Sequence, residues 1–518
     1  MTAPDTTLTT ESLDSAVPSI ATSAQGRSQP RVTKCRHVYQ GTEAIRNEGV
    51  TYLPQFTGES DALYDARRTI AALFNGYART VLAAVGLLCE PEPVLGPDMP
   101  QQLVEMWENV TGDGMHGAVF TRHLFTTAMV DGFAGIITEY PRADDPRIDR
   151  SRASAAATAA LETGAELDAA DVAALGLRPY FILVKVDECL PVYESVNGRR
   201  TLVLFIRKEI VTERKGRFGL ESKTRYRVYE LNKNGTVTYE RWSVAQAGAA
   251  PVKDEGPTVM RNLKGIPWSP LPAGEKLGEN EYKPTLLDLA DLTLTHHRIA
   301  TGILSLEEQA FVPTIVRVGA PTDRETGEYP PIVTGPGNSI EVPVIEGMPE
   351  KPVYYLSPPV DVLDPGMKSL ENCKAEMGAM GASFLAPEPR AQETATAHKM
   401  NASADRATIG TVSRGGKDCI ESAFGFAGQF IGETAGSVKV NKDFVGEGVD
   451  PALATVMITA YQAGIFDQPE LRTFLWTGQL PETFKADDPA ALRRILAMNS
   501  LPPENQPPPN DNPPPKEE

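Results

Sequence analysis

No run of eighteen or more consecutive apolar residues occurs in this 518-residue chain, which excludes a helix crossing a bilayer. Cysteine is sparse: five residues, at 35, 89, 189, 373 and 419, form no C-x-x-C pair. Zinc ribbons, redox dithiols and disulfide frameworks are therefore not indicated, and the thiols read as small reduced core residues. Positive charge is short as well, with 50 Lys and Arg against 68 Asp and Glu and a formal charge of −18. Tight non-specific binding to nucleic acid is disfavoured, because that affinity comes from cations releasing counterions from phosphates. A surface past which DNA slides stays compatible with this balance. H-E-x-x-H, G-x-S-x-G and G-x-G-x-x-G are all missing. The nearest approach to a phosphate loop, GTVSRGGKDC at 410–419, has one residue too many before its Lys and Asp where Ser or Thr must hold magnesium, so it reads as a helix bend at Gly415-Gly416.

What is present is length enough for several packing units and a 41% hydrophobic content usual for globular proteins. The start, MTAPDTTLTTESLDSAVPSIATSAQ, has neither a positive n-region nor an apolar core and reads as a polar disordered arm over residues 1–45 rather than a signal peptide. Apolar residues at Leu63, Ala66, Ile70, Leu73, Tyr77, Val81, Ala84 and Leu88 predict one long amphipathic helix over 59–89. A helix over 117–131 and a buried strand over 133–140 follow, then an Ala-rich segment, 151–176, with no assigned role. From Arg178 the period becomes that of strands: PYFILVKV, TLVLFIRKEI, TRYRVYE and TVTYERW predict an antiparallel sheet. Asn197-Gly198 and Asn234-Gly235 supply hairpin turns of type I′.

A helix is predicted from Pro284 to Phe311, with Leu292, Ile299, Ile303, Leu306 and Ala310 on one face, then a proline-dense β excursion containing TIVRV and SIEVPVI. The next helix carries Met367, Leu370, Cys373, Met377, Met380 and Phe384, with the small residues Gly378, Ala379, Gly381 and Ala382 near its end. In GASFLAPEPRAQETATAHKM, Pro387 and Pro389 remove amide donors and clash with the preceding turn, so the helix must break at about Ala386 and resume near Glu393. Helical patterns reach about residue 499, and PPENQPPPNDNPPPKEE reads as a disordered tail.

This order, with the strings YDARRTIAALFNGYARTVLAAVG, RPYFILVKVDECLPVYESVNGRRTLVLFIRKE, PTLLDLADLTLTHHRIATGI and ETATAHKM, resembles the portal proteins of tailed bacteriophages. It most resembles a branch catalogued as a family of unknown function with portal members. The resemblance implies an α+β portal-type fold. Its parts would be a wing over 46–282, stem helices over 283–311 and 361–385, and a clip over 312–360. A tunnel loop would cover 386–392, a long bent helix 393–434, a helical crown 435–500 and the tail 501–518. It implies a homo-dodecameric ring at one capsid vertex of the virion, assembled in the host cytoplasm, through which double-stranded DNA is packaged, retained and ejected. The implied partners are the large terminase, a head-tail adaptor, the major capsid protein and a scaffold, with no membrane, cofactor, metal or catalytic residue.

The residues so implied are the tunnel loop Ala386, Pro387, Glu388, Pro389, Arg390, Ala391 and Gln392, facing DNA, and stem-packing Met367, Leu370, Met377, Gly378, Gly381 and Phe384. The docking loop for motor and adaptor would be Thr322, Asp323, Arg324, Glu325, Thr326, Gly327, Glu328 and Tyr329. Two other readings compete. One is a phage-associated nuclease or hydrolase drawing carboxylates from Asp131, Glu139 and Asp187; the other is a head-tail adaptor ring without a constricting loop. His296-His297 reads as structural or solvated rather than metal-binding, because adjacent helical residues point about 100° apart.

Overall fold

The computed structural model describes residues 17–20, 22–70, 72–141, 177–245, 249–260, 262–311, 314–317, 353–356, 363–380 and 395–441, and residues 458, 459 and 461. Met1–Lys442 forms one compact unit and Asp443–Glu518 a second. The class is α+β, as expected from the sequence.

The first helix overturns an expectation. Residues 23–40 are not a disordered arm but helix α1 (Ser23–Gln40), opened by Thr22, whose hydroxyl accepts from the Gln25 amide at 3.2 Å. Val32, Cys35 and Val38 on it are completely buried. The pattern is hard to see in sequence because cations surround it, and these find carboxylates far along the chain. Arg27 and Arg31 pair with Glu281, and Arg36 with Asp131 and Asp187.

After α2 (Thr42–Glu48), the single helix expected over 59–89 is two, α3 (Asp61–Ile70) and α4 (Gly76–Leu88). Asn75 starts the second by accepting from the Ala78 amide at 2.9 Å, so a local cap wins over a continuous apolar stripe. Leu63, assigned to that stripe, is exposed.

Strand β1 (Val94–Leu95) and α5 (Gln101–Trp107) lead to α6 (Gly117–Asp131) and β2 (Phe133–Glu139), where the sequence placed them. Gly132 ends α6 at φ 79°, and a Cβ there would sit 2.9 Å from the Pro284 Cα, so both conformation and close approach require glycine. Every residue of β2 is buried. It is the centre of an antiparallel sheet β3-β2-β9, with β3 (Tyr180–Lys185) and β9 (Trp268–Pro272) beside it.

Of the four runs assigned to one antiparallel sheet, TLVLFIRKEI, TRYRVYE and TVTYERW lie in a five-stranded meander, β4 (Cys189–Val196), β5 (Arg199–Lys215), β6 (Gly219–Leu231), β7 (Val237–Ser243) and β8 (Val252–Met260), whereas PYFILVKV is β3 of the other sheet. Asn197 and Gly198 have φ of 53° and 74°, the positive pair a type I′ turn needs. Asn234-Gly235 is different: only Gly235 is positive, at 81°, in a five-residue loop where the Gly235 amide donates to Asn232 and Asn232 bonds Thr236. The two sheets share a core of Phe133, Ile137, Val184, Phe205, Tyr229, Tyr239 and Trp268, and Val32 of α1 packs into it.

A small hairpin, β10 (Glu275–Gly278) with β11 (Glu281–Lys283), precedes α7 (Leu287–Phe311). Then come β12 (Thr314–Arg317), β13 (Val353–Leu356), α8 (Leu363–Met380) and the 37-residue α9 (Ala395–Ile431). Gly415 and Gly416, read as a bend, lie inside unbroken helix. They are sites of close approach, where a Cβ would be 3.2 Å from Leu271 Cδ1 and would run into the Phe125 ring. Finally β14 (Val438–Lys439) pairs with β1, so residues 435–441, assigned to a crown, belong to the first unit.

Candidate functional site

Helices α7 and α8 lie antiparallel, because contacts pair early residues of one with late residues of the other. Gly366 abuts Ile303, where a Cβ would come within 3.0 Å, and the Met377 sulfur lies 3.7 Å from the Thr293 hydroxyl. Met377 also faces Gly76 at the start of α4, so α8 is seated on α7 and α4 together. Of the residues assigned to stem packing, Met377 is buried, Leu370 and Gly378 are half-buried, and Met367 is exposed; Gly381 and Phe384 lie outside the described residues. Cys373 is buried with Met377. On α7 the buried face includes Leu287, Leu289, Ala290, Thr293, Leu294, His296, His297, Thr301 and Ile303, so of the predicted stripe Ile303 is buried while Leu292, Ile299 and Leu306 are half-buried.

The end of this helix pair is bridged by β12 and β13, antiparallel from Thr314↔Leu356 to Arg317↔Val353. TIVRV is thus a strand through Arg317, as expected, while its partner VYYL was missed for want of any alternation between apolar and polar residues. SIEVPVI, the docking loop Thr322 to Tyr329, the tunnel loop Ala386 to Gln392 and the segment 151–176 all lie outside the described residues.

Of the carboxylates of the enzyme reading, Asp131 and Asp187 meet on Arg36 and Glu139 is held in a different cluster. Glu139 is buried where β2, β3 and the five-stranded sheet meet. It accepts from Arg227 at 2.6 Å, from Tyr180 at 2.9 Å and from the Tyr229 hydroxyl, and Arg207 pairs with it at 3.4 Å. Burial alone would raise its pKa, but the charges of Arg227 and Arg207 and the two hydroxyls outweigh burial and hold it below the ordinary glutamate range. Glu209 completes the group, bonding Arg227 at 2.7 Å and Arg207 at 3.2 Å. Asp131 and Asp187 instead share one guanidinium. Arg36 donates to Asp131 at 2.8 and 2.6 Å and to Asp187 at 2.8 and 2.6 Å. Burial raises the Asp131 pKa despite that partner, while at the less buried Asp187 the Arg36 hydrogen bonds and charge prevail over burial and lower it. All three acids are held in place by arginine. This is the geometry of a fold clamp rather than of an acid and a base facing a shared cleft.

His296 and His297 are both buried. The ring of His296 lies 5.3 Å from that of Phe74, in the segment joining α3 to α4, and the Lys374 ammonium of α8 lies over the Phe74 ring, 5.4 Å from its centroid. Burial first, and then nearby cations, push both histidine pKa values down. They are neutral packing groups at the junction of α3, α4, α7 and α8. Among the described residues, no group of three His, Cys, Asp or Glu could hold a metal, and no helix is long and apolar enough to cross a membrane.

Residues 285–431, which run from the start of α7 to the end of α9, match a family model described only as a domain of unknown function (DUF4055). No curated protein matches the chain. Among solved structures it is similar to a chain in the neck of a native gene transfer agent particle computed with C12 symmetry. The identity is 12% and the TM-score 0.35, over 77% of this chain and 90% of that one. A chain in the neck of the empty particle computed with C6 symmetry gives 11% identity and a TM-score of 0.36, over 81% and 94%. One in the virion of the native particle gives 11% and 0.34, over 84% and 99%. At these values the likeness is one of outline and assigns no function to this chain.

Proposed function

We propose that the chain is a non-enzymatic subunit of a tailed-phage portal, a homo-oligomeric ring at one capsid vertex through which double-stranded DNA is packaged, retained and ejected. The observation that carries this reading is the antiparallel pair α7–α8, bridged at one end by the β12–β13 ladder and followed by a 37-residue helix. At 25 and 18 residues the two helices are roughly 37 and 27 Å long, enough to form one stave of a channel wall. In this reading residues 312–360, which include β12 and β13, are the clip, whose loop Thr322 to Tyr329 docks the packaging motor and then the adaptor. Residues 386–392, between the end of α8 and the start of α9, form a loop directed at DNA in the bore. The acidity of the chain suits a conduit: a ring of many copies at −18 repels phosphates and lets the duplex slide.

Negative-stain class averages of the purified chain test the proposal directly. Top views should show a ring with a central hole wide enough for a duplex. Compact monomers at all concentrations, or a closed assembly without a bore, overturn it.

A further inference from the structure

Strands β5 and β6 are longer than the sheet they belong to. β4 pairs with β5 only up to Arg207, and β7 pairs with β6 only from Arg225 onward. Beyond those points the two strands pair with each other alone, as far as Lys215↔Gly219, and project as a ribbon of roughly 24 Å. Cross-strand partners share a face. On one face Glu213 pairs with Lys223 at 3.3 Å and with Arg225, and Lys215 pairs with Glu221 at 3.4 Å, so its charges are satisfied within the ribbon. The other face carries Ile210, Thr212 and Arg214 opposite Thr224, Ser222 and Leu220. Nothing in the described chain covers it: Ile210 is 71% exposed and Leu220 75%. A ribbon of two strands is marginal in water unless one face is packed.

A cover for this face begins at the base of the ribbon. There the face continues as Ile206, Leu204, Val228 and Tyr226, and Ile20 packs on it beside Leu190 and Val192. Ile20 belongs to no strand and lies just before α1, which is tied to the same place by the Gln25 side chain, donating to the Cys189 carbonyl at 2.8 Å. The stretch Val17–Ile20 is thus already seated where the bare part of the face starts. The sequence immediately before it, from Asp5 to Ala16, is DTTLTTESLDSA.

We propose that residues 5–16 of the same chain lie along the bare face, with Leu13 over Ile210 and Leu8 over Leu220. Reach permits it. Ile210 is four strand residues beyond Ile206, about 13 Å, and Arg214, opposite Leu220, is eight beyond, about 26 Å. Leu13 stands seven residues before Ile20 and Leu8 twelve, so extended chain carries them up to about 23 and 40 Å. Chemistry selects the same occupant. The face is aliphatic and hydroxylic, with Thr212 bonded to Ser222 at 3.1 Å, and the segment offers two leucines among threonines, which favour extended chain. Two cations, Lys208 and Arg214, also lie on this face and have no carboxylate partner among the described residues, while the segment holds Asp5, Glu11 and Asp14 and no cation. A second copy would have to bring such a surface from solution, whereas a segment tethered a few residues away acts at an effective concentration on the order of millimolar. The inference is independent of the ring reading, because it concerns a contact within one chain.

Ser222→Cys places a thiol on this face, while four of the five native cysteines are buried and Cys89 is half-buried. The full chain, labelled there with a benzophenone maleimide, mixed with isotope-labelled copies and illuminated, should crosslink from position 222 to residues 5–16, and only within one copy. Leu8→Asp with Leu13→Asp should lower that yield at least tenfold, and Leu8→Met with Leu13→Met should keep it. Crosslinks that join labelled to unlabelled copies, crosslinks that land outside residues 5–16, a yield unchanged by the Asp pair, or an equal loss in both pairs each overturn the proposal.

Discussion

Gly416 and Gly425 stand nine residues apart within α9, and their surroundings give substitution opposite signs. A Cβ at Gly416 would enter the Phe125 ring, whereas one at Gly425 meets nothing within 4 Å. Gly416→Ala should therefore destabilise by about 1–3 kcal/mol through overpacking, and Gly425→Ala should stabilise by about 0.5–1 kcal/mol through helix propensity. Urea midpoints of the two variants check both signs. Glu139 is a sharper case, because its removal leaves the buried pair Arg207 and Arg227 with Glu209 as the one carboxylate they share. Glu139→Gln should cost about 3–5 kcal/mol in chemical denaturation, and a loss below 1 would show that the cluster is not a clamp. The histidines predict a pH response. Burial lowers the pKa of His296 and His297 in the folded state, so on acidification the unfolded chain takes up protons first. Stability is thus complete above about pH 6.5 and declines as pH falls below it. Thermal midpoints between about pH 7 and 5.5 should show this slope, and His296→Gln with His297→Gln should flatten it.

At the scale of elements, α3 and α4 show how a cap overrides a stripe. The dipeptide Asn75-Gly76 carried the signal, since Asn is among the best N-caps and Gly tolerates the entry to a helix, yet the apolar spacing ran straight through it. The same competition bears on the end of α8. Deleting Pro387 to Gln392 removes the residues that forbid a continuous helix while leaving α1, the Asn197-Gly198 turn and the five-stranded sheet untouched. If the loop narrows a channel, such a variant should form rings and procapsids at normal yield but retain shortened genomes or none. Full-length packaged DNA from it, sized by pulsed-field electrophoresis, would show that the loop does not act on DNA in transit.

For the whole molecule, charge is the dominant property. With 68 acidic against 50 basic residues, the chain should give no anisotropy change with a short duplex at micromolar concentrations and about 0.15 M salt. A conduit requires this indifference, whereas an enzyme acting on DNA requires affinity. Measurable binding at that salt would count against the portal reading at its physical basis. The first unit, Met1–Lys442, also ties distant parts of the chain together: β14 closes on β1, and Asn441 donates to the carbonyls of Leu87 and Glu90.

The sequence by itself determined the elements whose information is local. The boundary between α6 and β2, the existence of the strands β3, β5, β6 and β7, the turn at Asn197-Gly198 and the extent of α7 follow from periodicity and turn chemistry. Net charge and the missing motifs are likewise complete in the sequence. Only the tertiary structure decided that α1 belongs to the core, that Gly415-Gly416 is a packing contact, and that Asp131, Glu139 and Asp187 are held by arginines. The reason is distance along the chain: Arg36 reaches Asp131 across 95 residues, and Arg227 reaches Glu139 across 88. A buried charge is stable only beside its partner, and no local pattern records which partner the fold will bring.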